Sequence, residues 1–141
     1  MTFLKRSLVT SVSVGMLLIG TPPGALWSET SLRALPDGEH YYQSQSSSEL
    51  LATPYALFHK WGRIVVGIEG HSPADAACFK GFLEGHEIVD ATRVLPPYTP
   101  DAEWDYQSGL MLDLSQYEKV VNPADEADRE ALEICLDVFS R

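Results

Sequence analysis

Apolar and polar positions alternate with a period of two along much of this chain, and the alternation is broken by short Gly-, Pro- and Ser-rich stretches. Residues 55–60 (YALFHK) and 63–69 (RIVVGIE) flank Trp61-Gly62. Two β-rich runs around a short Gly-containing break predict a hairpin. A two-residue turn puts Tyr55, Leu57, Ile64, Val66 and Ile68 on one wholly apolar face that belongs against a core. The opposite face carries Ala56, Phe58, Val65 and Gly67, so it too has material to bury.

A second hairpin pairs residues 77–83 (ACFKGFL) with 86–92 (HEIVDAT) across Glu84-Gly85. A three-residue loop would set Lys80 opposite Asp90 and Phe82 opposite Ile88; a two-residue loop would not, and the register stays open. Upstream, Leu35-Pro36-Asp37-Gly38 reads as a turn followed by a short strand at residues 40–43. Residues 44–49 are polar and Ser-rich, a surface loop. Residues 94–108 hold Pro96, Pro97 and Pro100 and read as a long connection. In residues 109–120, Leu110, Leu112 and Leu114 alternate with Met111, Asp113 and Ser115, which predicts one half-buried strand.

The period then lengthens. Asn122-Pro123 followed by Asp125 and Glu126 has the form of a helix start, with Asn as cap and Pro in the first turn. Ala127, Ala131, Ile134, Cys135 and Val138 recur at helical spacing over residues 123–139, and Leu132, Leu136 and Phe139 widen the stripe. Glu130, Glu133 and Asp137 lie off it. The expected fold is mainly β, a small antiparallel barrel or strongly curled sheet of about five to six strands, with a C-terminal α-helix packed on it. An α+β sandwich with an open sheet is the alternative.

The first residues follow neither period. Lys5 and Arg6 precede an apolar stretch at residues 8–20, and Thr21-Pro22-Pro23-Gly24 and small residues follow. That is the layout of a secretory signal. The stretch is shorter than the roughly 20 residues a bilayer span needs. Residues 1–28 are therefore expected to be a cleaved signal peptide, leaving one domain over residues 29–141 with no stable membrane span. Loss of Lys5 and Arg6 takes the formal charge from −10 to −12. So acidic a surface disfavours nucleic acid and anionic membranes as partners. An exported domain with two cysteines, Cys78 and Cys135, is expected to pair them. The bond would staple the terminal helix to the second hairpin, in a periplasmic or extracellular setting.

The turn and strand motifs have a further bearing. Leu35-Pro36-Asp37-Gly38 before a Tyr-containing strand, Phe58-x-x-x-Gly62-x-x-Val65-Val66-Gly67 and Cys78-Phe79-x-Gly81-x-x-x-Gly85 together resemble a family of small exported proteins of cyanobacteria. The resemblance spans residues 35–92. It implies the compartment and a pair of hairpins followed by a Leu-rich strand and a Cys-containing segment; it implies no activity and no catalytic residue.

Candidate chemistry is sparse. His40, His59, His71 and His86 fit no metal-ligand spacing. Asp101, Glu103 and Asp105 open like a calcium loop, but Tyr106 and Leu112 stand where Gly and Glu are needed. Gln107-Ser108-Gly109 lacks the first Gly of a nucleophile elbow, and there is no Gly-rich phosphate loop. No catalytic, cofactor or metal residue is assigned and no cofactor is expected. Tyr41, Tyr42, Tyr55, Phe58, Trp61, Tyr98, Trp104 and Tyr106 could line the mouth of a small barrel that holds an apolar ligand. Three functions follow: a non-enzymatic exported domain binding a small apolar ligand or a protein partner, an envelope-structural accessory protein without a ligand site, or a carboxylate-dependent hydrolase.

Overall fold

The computed structural model describes residues 31–45 and 52–141, so the expected signal peptide and most of the Ser-rich loop lie outside the described residues. The chain forms strands β1 (Gly38–Ser44), β2 (Tyr55–Trp61), β3 (Ile64–Gly70), β4 (Ala77–Glu84), β5 (Glu87–Leu95), β6 (Asp105–Asp113) and β7 (Tyr117–Lys119), then helix α1 (Glu126–Val138). All seven strands join one antiparallel sheet in the order β6-β5-β4-β3-β2-β1-β7. The fold is mainly β with one C-terminal helix, and among the described residues no ladder joins β6 to β7. The edge strands β6 and β7 are nevertheless consecutive in the chain, separated only by residues 114–116.

Both hairpins form, with turns one residue later than the alternation suggests. Trp61 pairs with Ile64 around Gly62-Arg63, and Glu84 pairs with Glu87 around Gly85-His86. Gly62 and Gly85 have φ of +59° and +62°, the left-handed conformation such tight turns demand and Gly adopts without strain. Asp37 locks the first turn: its Oδ1 accepts from Gly62 N at 2.8 Å and from Lys60 Nζ at 3.3 Å. The second hairpin takes the two-residue loop weighed from sequence, one residue later in the chain and with a bulge added. Phe82 faces Val89 and Lys80 faces Thr92, so Asp90 and Ala91 together oppose Gly81 in a bulge, with Asp90 at φ +49°. A Cβ on Gly81 would come within 2.6 Å of Ile88 Cγ2, so only Gly lets the bulged strand approach this closely.

Two other expectations change. The strand expected over residues 109–120 is two strands, because the backbone turns at residues 114–116, where Asp113 caps Ser115 N at 2.8 Å and Tyr117 N donates to Leu114 O at 3.0 Å. The helix begins at Glu126, and Asp125 caps it, its carboxylate accepting from Asp128 N at 2.9 Å. Its buried residues are Asp128, Leu132, Cys135 and Val138, while Ala127 and Ile134 face outward.

The two faces of the sheet bury separate cores. One gathers Tyr42, Phe58, Val65, Phe79, Leu83 and Ile88, joined by Leu112, Leu114 and Leu32. The other sets Tyr55, Leu57, Ile68, Cys78 and Val94 under Ala124, Leu132, Cys135 and Val138 of the helical segment. Cys78 and Cys135 are disulfide-bonded in the middle of this second core, with Cα atoms 5.1 Å apart.

Candidate functional site

The face of the sheet away from α1 is filled by side chains. Phe58, Val65, Phe79, Leu83, Ile88 and Ala91 are wholly buried, and Tyr42 stacks parallel on Phe58 at 5.8 Å. Gly67 lies so close to Phe58 that an added Cβ would stand 2.3 Å from Leu57 O. None of the four described cavities is lined by these residues. These side chains occupy the face on which an apolar-ligand mouth is expected from sequence.

The α1 face differs. Helix α1 covers only the half of it around Leu57, Ile68, Cys78 and Val94. On the other half, register aligns Trp61, Ile64, Phe82 and Val89 in one row across β2, β3, β4 and β5. At the usual strand spacing the row is about 14 Å long. Met111, between inward-facing Leu110 and Leu112, continues it on β6. Trp61 is 45% exposed, Ile64 and Phe82 40% each, and Met111 59%. Behind this row stands His59–Val66–Lys80–Thr92, where the His59 ring stacks on Trp61 at 4.1 Å. Arg63, Lys80, Glu84 and Glu87 supply a charged rim of both signs. Single exposed apolar residues are ordinary on protein surfaces, but an aligned row of them with two aromatics is not.

The row is a product of local sequence. The two glycine turns set the registers, and Asp37 fixes one of them. Its carboxyl is held below the usual range, first by the Gly62 N–H and then by Lys60. The Asp37 turn thus holds the Gly62 turn, and Gly67 and Gly81 permit close packing.

Chain comparison adds nothing to this geometry: no family model, curated protein or solved structure matches the sequence.

Among the described residues, the buried polar and charged side chains are His40, Lys60 and Asp128. Asp128, 7% exposed, lies beneath the start of α1 beside Tyr55. Burial raises its carboxyl above the ordinary value and Asp125 adds to this, while the Tyr55 hydroxyl opposes it. Burial and the neighbouring Asp128 raise the Tyr55 phenol in turn. Tyr55 Oη and Asp128 Oδ1 make no hydrogen bond of full geometry, so the pair is coupled by proximity. No described cavity is lined by Asp128. His40 Nε2 donates to Pro36 O at 2.7 Å, and burial lowers its pKa, keeping the ring neutral. His59, His71 and His86 belong to different strands and turns, and no group of three or more potential metal ligands converges among the described residues. Asp101, Glu103 and Asp105 stay on the exposed surface. Among the aromatics, Tyr42, Tyr55 and Phe58 are core, Tyr98 is pinned by its hydroxyl, and Trp61 and Tyr106 are exposed. Alternation places Ile64 on a core face, yet it is 40% exposed; the helix's limited coverage leaves that end of the face bare.

Proposed function

We propose that this chain is an exported, disulfide-stapled, non-enzymatic domain that binds a protein partner through the Trp61–Ile64–Phe82–Val89 row. The observation that carries the reading is the row itself, aligned across four strands, 40% or more exposed at its three large residues and rimmed by charge. Protein interfaces have this anatomy, with aromatic anchors at the centre and a polar rim. Export is supported by the signal-like residues 1–28, by the disulfide and by the resemblance of the turn motifs to those of small exported cyanobacterial proteins. Among the described residues, no helix is long and apolar enough to cross a membrane.

The sheet is proposed to curl into an unclosed barrel. A flat sheet of seven strands would hold its edges about 29 Å apart, whereas the backbone from Asp113 to Tyr117 reaches at most about 14 Å. Curling wraps the packed core inward and turns the row outward, toward a partner. The accessory-protein reading shares this architecture but gives the row no task. The hydrolase reading has no carboxyl of raised pKa in a cavity, since Asp128 lies buried against Tyr55 and lines no described cavity.

The test is site-specific photocrosslinking in the exporting cell. A photoreactive residue at position 82 should give one discrete adduct, and one at exposed Glu118 should give none. Trp61→Ser with Ile64→Thr should abolish the adduct while leaving thermal unfolding unchanged. Equal adducts from both positions, or an adduct indifferent to the double substitution, would reject the reading.

A further inference from the structure

A second, separate cavity lies beside the disulfide. Between α1 and the loops before β4 and after β5 is a niche of about 170 Å³, walled by Ile68, Pro73, Pro97, Tyr98, Ala131 and Ile134. It is large enough for a phenyl or short alkyl group, since a dry apolar cavity of about 150 Å³ accepts benzene. Its walls are preformed. Tyr98 Oη accepts from Cys78 N at 2.9 Å and shares its hydrogen between the carbonyls of Ala76 and Val94 at 3.0 and 2.9 Å. The Cys78–Cys135 bond holds α1 against the same strands.

Tyr98 and Ile134 also border a neighbouring trough of about 610 Å³ along α1. Glu130, Glu133 and Asp137 line the trough. Their spacing of three and four residues sets them along one side of the helix. Of the three, only Asp137 has an ion pair among the described residues, with Arg141 Nη2 at 2.6 Å. That guanidinium also lies 5.7 Å from the centroid of the Trp104 ring. Asp137, one of the trough's lining residues, thus already holds a cation, whose other neighbour is a π face.

We infer that this cleft binds a small organic cation with an apolar arm, an alkyl- or arylammonium ion, with the arm in the niche and the charged head over Glu130 and Glu133. The site is independent of the Trp61 row. Apolar burial supplies the attraction and the two unpaired carboxylates supply the choice of charge. A neutral molecule of the same shape would fill the niche and leave the carboxylates unanswered.

The experiment is an NMR titration of the oxidised protein at low salt with phenethylammonium and, separately, with its neutral isostere 2-phenylethanol. Both should shift Tyr98 and Ile134, and the ammonium ion should bind about fivefold more tightly, the scale of a partly exposed ion pair. Glu130→Gln with Glu133→Gln, both at exposed positions, should erase that preference and leave 2-phenylethanol binding as it was. Ala131→Leu, which fills the niche, should weaken both ligands. The inference fails if the two ligands bind equally to the native protein, if the shifts fall elsewhere, or if the double glutamine variant keeps the preference. None of these results depends on whether position 82 crosslinks a partner.

Discussion

Asp128 shows at the scale of one residue how tertiary packing overrides a sequence pattern. Helical periodicity treats every acid as an outward position, and Glu130, Glu133 and Asp137 obey it. Asp128 does not, because capping at Asp125 sets the helix start and turns position 128 toward Tyr55. A buried carboxyl with a raised pKa is destabilising once ionised. The native state then binds more protons than the unfolded chain above 3.8, so this group's contribution to stability falls as pH rises from 3.8 to its raised native value. His40, whose pKa is lowered, acts with the opposite sign: stability falls as pH drops below 6.5. Asp128→Asn removes the first effect and keeps the second. Urea denaturation from pH 3.5 to 7 should therefore show the variant gaining stability relative to the native protein as pH rises. Parallel curves would mean that Asp128 does not titrate in this window.

At the scale of elements, β2 to β5 and the helix were legible because each carries its own periodicity and turn residues. Faces were read more securely than turns. Moving the first turn from Trp61-Gly62 to Gly62-Arg63 shifts the pairing by two residues and leaves every side chain on its face. The division of residues 105–119 into β6 and β7 was not legible. The run from Leu110 to Leu114 alternates without a breaker, and the chain turns because β7 finds its partner in β1 at the far edge of the sheet. The disulfide joins α1 to β4. It closes a loop with a sequence separation of 57, for which chain entropy gives a stabilisation of about 4 kcal/mol. Cys78→Ala with Cys135→Ala should lose about that much in equilibrium urea unfolding. A loss below about 1 kcal/mol would show that the packing of Leu132 and Val138 suffices to dock the helix.

For the molecule as a whole, the consequential feature is that opposite edges of the sheet are joined by residues 114–116. If strand twist, the Gly81 bulge and the close packing at Gly67 set the proposed curl, the short link merely follows it. Four Gly/Ser residues inserted after Ser115 should then cost only loop-closure entropy, about 0.7 kcal/mol. A loss of several kcal/mol would make the link itself the agent that draws the edges together. The same shape decides what is left bare. A helix of thirteen residues covers part of one face, and the Trp61 row lies beyond its reach.

The amino-acid order by itself determined the period of each main strand, the glycine turns, the amphipathic helix, the acidic charge and the expectation that Cys78 and Cys135 pair. These are local or compositional properties, fixed by backbone sterics and by the alternation of side chains. Only the tertiary structure decided that Asp128 is buried and that α1 covers only part of its face of β2 and β3. It alone decided that β7 crosses to the opposite edge and that Trp61, Ile64 and Phe82 stand exposed together. Each of these depends on which distant segments meet and how far each covers the other. That is a matter of long-range packing, which no periodicity within a single element encodes.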